Sequence, residues 1–240
     1  MPVILVTGGA SGLGAAITKK FASHPEFNVY FTFNNSKESA AKIEAEFKNT
    51  TAIQCDFTDQ ESLTKLVKLI PLINLDILIN NALTGMQIKH FHQILPEDLA
   101  RSFEKNVLPT MIISQEAIKA FRKKKSGRIL SIITSYVANS PPVGLSEYVA
   151  NKAYLLSMSK SWAKENSRYN IVSNCVSPSL LMTNLVGALD QRQIEDMESA
   201  HPFKCLLTVD EVADSVFSLA IASKHVNGVN FLMNGGVDVI

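Results

Sequence analysis

The 240-residue chain has only three cysteines, no surplus of either charge and no long apolar run. Each shortage removes a class of protein. Cys55, Cys175 and Cys205 are odd in number and widely spaced, so they form neither a CxxC knuckle nor the disulfide framework of a secreted domain. Each is expected as a buried apolar thiol. His24, His90, His92, His201 and His225 lack zinc spacing, and no metal site is expected. Lys plus Arg number 23 against 22 Asp plus Glu, which gives no global field for nucleic acid. One local cluster, Arg122-Lys123-Lys124-Lys125 with Arg128, reads as a solvated helix end where cations suit the helix dipole. No apolar stretch reaches the roughly 18 residues of a membrane span. The apolar run at 3–6 is too short for a signal peptide, so a cytoplasmic protein without membrane or nucleic-acid partners is expected. Without repeats, low-complexity tracts or Gly/Ser linkers, residues 1–240 read as one domain.

What is present is an alternation. Short β-branched runs at 3–7, 29–33, 51–55, 76–80, 128–133, 171–176 and 230–233 predict strands. Their lack of polar alternation suits parallel strands covered on both faces. Helical periods fall at 12–23, 36–48, 59–70, 96–120, 147–167 and 208–222. Ser36, Thr58 with Glu61 as a capping box, and Pro96 before Glu97 and Asp98 mark helix starts. The pattern predicts right-handed βαβ crossovers in a doubly wound α/β sheet.

The first strand runs into Thr7-Gly8-Gly9-Ala10-Ser11-Gly12-Leu13-Gly14, where a helix opens. A dinucleotide pyrophosphate needs backbone N–H groups at close range and a helix N-terminus beyond them. Gly8 allows the turn, Gly12 the close approach and Gly14 the packing of helix on strand. Asp56, ending the third strand, reads as an adenine contact or a simple turn former. Further on, Tyr148 and Lys152 stand four apart on one helix face, so a cation lies near a phenol. A nearby cation favours phenolate and lowers its pKa. Ser135, just past a strand end, offers a hydroxyl to a carbonyl oxygen on the edge where such sheets place ligands.

These residues resemble the short-chain dehydrogenase/reductase family. The 7–14 segment fits its TGxxxGxG, Asn80-Asn81-Ala82 most of its NNAG, and Ser135, Tyr148 and Lys152 its Ser and YxxxK. Asn106 falls at the family's helix Asn, Asn174-Cys175-Val176-Ser177-Pro178 with Thr183 resembles the segment closing on nicotinamide, and Asn234-Gly235-Gly236 resembles its terminal DGG. The resemblance implies a Rossmann-like, seven-stranded parallel sheet with helices on both faces. It also implies hydride transfer between a nicotinamide dinucleotide and a ketone, 3-oxoacyl or secondary alcohol carbon. In that relay Tyr148 moves the proton, Lys152 lowers its pKa and binds the ribose, Ser135 orients the oxygen, and Asn106 holds a water. Cofactor contacts are expected from Gly8, Ser11, Gly12, Leu13, Gly14, Asn34, Asn35, Ser36, Asp56, Asn80, Ala82, Tyr148, Lys152, Pro178 and Thr183.

Leu83 and Ser179 replace glycines of the family pattern and favour an alternative, a regulatory cofactor-binding protein with little turnover. The 31–37 segment has no carboxylate to repel a 2′-phosphate, and Lys37 adds a cation, so NADP(H) is expected over NAD(H). A substrate loop is expected near 184–204, with Leu185, Val186, Leu189 and Met197 as an apolar lid. The substrate is a small carbonyl or alcohol compound, free or carried on an acyl carrier that Arg128 and Arg168 could meet. Small residues Ala150, Ala153 and Ser157 predict helix pairing in a homodimer or homotetramer.

Overall fold

Every residue of β1 (Val3–Val6), β4 (Ile77–Asn80) and β6 (Ile171–Pro178) is buried, so both faces are covered as the middle of a parallel sheet requires, with Asn80, Ser173, Asn174 and Ser177 as polar exceptions to an apolar pattern. The computed structural model describes residues 1–138, 141–181, 195, 198, 199 and 201–237. In it these strands join β2 (Asn28–Phe33), β3 (Thr50–Gln54), β5 (Gly127–Ile132) and β7 (Asn230–Met233) in one seven-stranded sheet. Every pairing is parallel, in the order β3-β2-β1-β4-β5-β6-β7. The chain winds outward from β1 through β2 to β3, then returns to the other side of β1 with β4. The crevice at the carboxyl ends of β1 and β4 is therefore the switch point where doubly wound sheets bind ligands.

Side-chain alternation sends successive residues of β1 to opposite layers. Ile4 and Val6 pack with Ile17 and Phe21 of α1 (Gly12–Ala22) and Val216 of α7 (Val209–Ala220). Val3 and Leu5 pack with Leu66 of α3 (Gln60–Leu69), Phe121 of α5 (Leu108–Lys124) and Trp162 of α6 (Ser146–Asn166). The remaining helices are α2 (Lys37–Glu46) and α4 (Pro96–Asn106). No helix among the described residues is long and apolar enough to cross a membrane.

All seven predicted strands form, within two residues at each end. Three local expectations are corrected. The helix expected over 96–120 is two helices, α4 and α5, meeting at Val107. Pro109 cannot donate to the carbonyl four residues back and crowds it, which breaks the helix there. Helix α3 is capped by Asp59, whose carboxylate accepts from the Glu61 and Ser62 amides, and not by Thr58 in a capping box. The capping box of the fold opens α7, where Thr208 and Glu211 satisfy each other's main-chain N–H groups. Finally, Cys55 and Cys175 are buried but Cys205 is exposed.

Candidate active site

The loops following β1 and β4 are clamped together at the switch point. Thr7 Oγ1 accepts from the amides of Asn81 (2.9 Å) and Ala82 (3.1 Å). The Asn81 side chain donates to the carbonyls of Thr7 (3.0 Å) and Gly8 (3.2 Å). From the β2 side, Thr32 Oγ1 accepts the Gly8 N–H at 2.9 Å. A Cβ on Gly14 would lie 2.0 Å from the Gly8 oxygen, so only glycine lets α1 pack on the turn. Gly12 differs: its φ is +49°, and a Cβ there would meet nothing within 4 Å. That residue faces open space in front of the α1 N-terminus, a cradle suited to a diphosphate. Gly9, which the motif reading leaves without a role, is fixed by Thr18 Oγ1 and Phe31 Cβ, at 2.5 and 2.6 Å from where its Cβ would stand.

The other expected cofactor positions divide. Ser11 is exposed at the α1 N-cap, and Asn34 and Asn35 are exposed after β2, with Ser36 partly so. Asp56 is held below the usual carboxylate range by the Thr58 amide (2.8 Å) and hydroxyl (2.7 Å), with a smaller contribution from the Asn34 side chain. Leu13 is buried in the core, and Pro178 ends β6 in a buried position. The Asn80 side chain turns inward, donating to Ser114 Oγ (2.9 Å) and Ser131 Oγ (3.4 Å). Its Oδ1 has no partner among the described residues. For Leu13 and Asn80, only the main chain is left to meet a ligand. Thr183, and Leu185, Val186, Leu189 and Met197 of the expected lid, lie outside the described residues. A bridge between Leu181 and Leu207 ties together the two ends of that segment.

Beside the switch point, Ala82, Leu83, Asn106, Tyr148, Asn151 and Lys152 line a narrow cleft enclosing about 320 Å³ with its mouth. Asn106 reaches it because α4 ends there, and its Oδ1 accepts the Thr84 N–H at 2.7 Å. Asn151 Nδ2 donates to Ser102 Oγ at 3.0 Å, fixing α6 against α4. Neither Leu83 nor Ser179 takes a positive φ, so the backbone accepts both departures from glycine. Leu83 instead supplies bulk to the cleft wall.

The Tyr148–Lys152 pair forms with a different electrostatic balance from the one expected. Burial pushes the Tyr148 phenol up to about 12, opposed by a hydrogen bond with the Thr134 hydroxyl. Lys152 is 6% exposed, and burial lowers its pKa to about 8. Its Nζ lies 5.9 Å from the Tyr148 ring centre and donates to the Ile132 carbonyl at 2.7 Å. The ammonium is thus pinned to the end of β5, and burial is the dominant influence on the phenol. Ser135 is buried and opens a 3-10 turn after β5, while the neighbouring hydroxyl, Thr134, bonds the phenol. The buried Cys175 thiol is pushed up to about 11, so it stays protonated beside Lys152.

Comparison with known proteins agrees with this geometry. A profile of the short chain dehydrogenase family matches residues 2–194. The 3-oxoacyl-(acyl-carrier-protein) reductase FabG of Rickettsia bellii is 30% identical over 242 residues, covering 97% of this chain and 95% of that protein. The NAD-dependent glycerol dehydrogenase of Listeria innocua is 29% identical, covering 99% and 94%. A solved structure of a short chain dehydrogenase/reductase family protein superposes with a TM-score of 0.86 at 27% identity, covering 98% of this chain and 96% of its own. The 3-ketoacyl-(acyl-carrier-protein) reductase of Brucella melitensis complexed with NADH shares the fold, with a TM-score of 0.88 at 24% identity and coverage of 99% and 98%. With the family profile spanning most of the chain and a glycine turn, Tyr148 and Lys152 gathered at one sheet edge, the chain belongs to the short-chain dehydrogenase/reductase family, and it is an oxidoreductase that moves hydride between a nicotinamide cofactor and a carbonyl or alcohol carbon.

Proposed function

We propose that the protein reduces a ketone or 3-oxoacyl group, with NADPH preferred over NADH. The observation that carries the reading is the cleft of Asn106, Tyr148 and Lys152 beside the open cradle at Gly12. The residues fit a dinucleotide: Gly8, Ser11, Gly12 and the α1 N-terminus would hold its diphosphate, and Asn34, Asn35 and Ser36 its adenosine ribose. The main chain at Leu13, Gly14, Asn80, Ala82 and Pro178 completes the cradle, and Asp56 sits by the adenine end. Lys152 and Tyr148 would hold the nicotinamide ribose. When bound, the nicotinamide supplies or accepts the hydride.

The chain's own part is proton supply and position. At neutral pH a phenol with a pKa near 12 is fully protonated, a donor for the oxygen of a carbonyl being reduced. In alcohol oxidation the same phenol must first give up its proton, which burial opposes. Thr134 orients the phenol, Ser135 steadies the substrate oxygen, and Asn106 anchors the 82–86 loop over the cleft. The absence of a carboxylate between Phe33 and Glu38 supports the phosphorylated cofactor, and exposed Lys37 adds attraction. We further propose one domain over 1–240 with its substrate loop near 184–204, a cytoplasmic location, and a homodimer or homotetramer. The exposed stripe of Ala150, Ala153 and Ser157 on α6 supports the last of these. Similarity to acyl-carrier reductases supports a substrate carried on an acyl carrier. Arg128 opens β5 and Arg168 follows α6, at the strand amino edge, on the far side of the sheet from the cleft.

The test is kcat/KM for NADPH and NADH with a panel of 3-oxoacyl thioesters and simple ketones, followed at 340 nm. A tenfold advantage for NADH would overturn the cofactor reading. Turnover of none of the carbonyls with either cofactor would overturn the substrate reading and favour a regulatory cofactor-binding protein.

A further inference from the structure

The opposite edge of the sheet carries a second concave site that the reductase reading does not use. Lys125, Ser126, Gly127, Arg128, Asn170 and Lys224 surround an open polar hollow enclosing about 600 Å³ with its mouth, at the amino ends of β5 and β6. It is separated from the catalytic cleft by the length of β5, six residues or about 20 Å. The walls are built by local geometry. Lys125 caps α5 and Asn170 follows α6, both in the left-handed region at φ 56°, so each chain turns sharply into its strand. The Asn170 side chain stitches them together, donating to the Lys125 carbonyl (3.4 Å) and accepting from Lys224 Nζ (3.1 Å).

The charge here is one-sided. Among the described residues, none of Lys125, Arg128 and Lys224 pairs with a carboxylate. The carboxylate at the head of the neighbouring strand, Asp76, is already engaged by the Val3 amide (2.8 Å) and Lys124. Arg128 Nη1 is shielded from solvent and has no hydrogen-bond partner among the described residues. A guanidinium nitrogen that has lost water and gained no acceptor is costly to keep, and the partial burial of Arg128 pulls its pKa down. Arg122 and Arg168, stacked on the Tyr169 ring at 4.8 and 4.9 Å, add cations on this side.

We propose that this cavity binds a compact anion bearing phosphate groups, of about diphosphate size. Three cations in one hollow match a multiply charged ligand better than a single carboxylate, and the flat fork of arginine matches two oxygens of a phosphate.

The test is calorimetric titration of the NADP⁺-saturated protein with inorganic pyrophosphate at constant ionic strength, so that the glycine turn is already filled. The expected result is one equivalent per chain, weakened at least tenfold by Arg128→Gln and by Lys224→Gln. Lys65→Gln removes the same charge from an exposed position on α3 and is expected to leave binding unchanged. If Arg128→Gln does not fold, the Lys125→Gln/Lys224→Gln double variant at exposed positions carries the comparison. Absence of binding, equal weakening by all the variants including Lys65→Gln, or preferential binding of a single-stranded oligonucleotide would overturn the proposal.

Discussion

Lys152 is buried at 6% exposure with a pKa lowered from its ordinary 10.5 to about 8, so the fold carries a stability penalty for keeping it charged. At about 1.4 kcal/mol per decade, the penalty at pH 7 is about 3 kcal/mol. Lys152→Met keeps the length of the side chain and removes the charge. It also removes the donor to the Ile132 carbonyl, which costs about 1 kcal/mol. The variant is therefore expected to be about 2 kcal/mol more stable than the wild type at pH 7, and inactive. The pH dependence gives the sharper check. Between pH 8 and 10.5 the unfolded chain holds the lysine proton more tightly than the folded one, so wild-type stability rises with pH through that window. The advantage of the variant should fall to about 1 kcal/mol at pH 9 and vanish near pH 10. Urea unfolding of both proteins without cofactor, at pH 7, 8, 9 and 10, measures the difference, in which other titrating groups cancel. A variant less stable than wild type at pH 7, or a difference that does not change with pH, would refute the reasoning.

Three further outcomes follow from the same geometry. Tyr148→Phe should lower kcat by about 10²–10⁴ while the cofactor Kd, measured by fluorescence titration, changes little; a variant keeping a tenth of wild-type kcat would remove the phenol from the mechanism. Thr134→Val deletes the hydrogen bond that opposes the burial of the phenol, so the rising limb of the alcohol-oxidation pH profile should move to higher pH; an unmoved limb would mean that the Thr134 contact does not persist in the working enzyme. Gly14→Ala puts a methyl 2.0 Å from the Gly8 oxygen and should destabilise the protein by about 1–3 kcal/mol, whereas Gly12→Ala meets no neighbour but is strained at φ +49°, so it should cost about 1 kcal/mol in folding and weaken cofactor binding as well; thermal melts and cofactor titrations of the pair separate the two roles.

Local pattern was enough to place the elements and most of the chemistry at their ends. Period-2 and period-3.6 patterns are local properties, so every strand from β1 to β7 could be placed within two residues. The glycine turn, Tyr148 and Lys152 were legible for a related reason: their roles depend on fixed spacing along a turn or a helix face. The break at Pro109 was also local and could have been read, since proline cannot continue a helix past its first turn. What the tertiary structure decided depends on distant neighbours. That the Thr134 hydroxyl opposes the rise of the phenol's pKa follows from how α6 docks on the end of β5. That Lys152 is held by Ile132, twenty residues away, follows from the same docking, and the burial that comes with it raises the phenol's pKa. The basic run before β5 read as a solvated helix end, yet the pairing of β5 with β6 sets Arg128 beside Asn170 and Lys224 and leaves part of its guanidinium without water or partner. Burial and pairing are sums over contacts between segments far apart in the chain, so local pattern can name the groups but cannot fix their solvation.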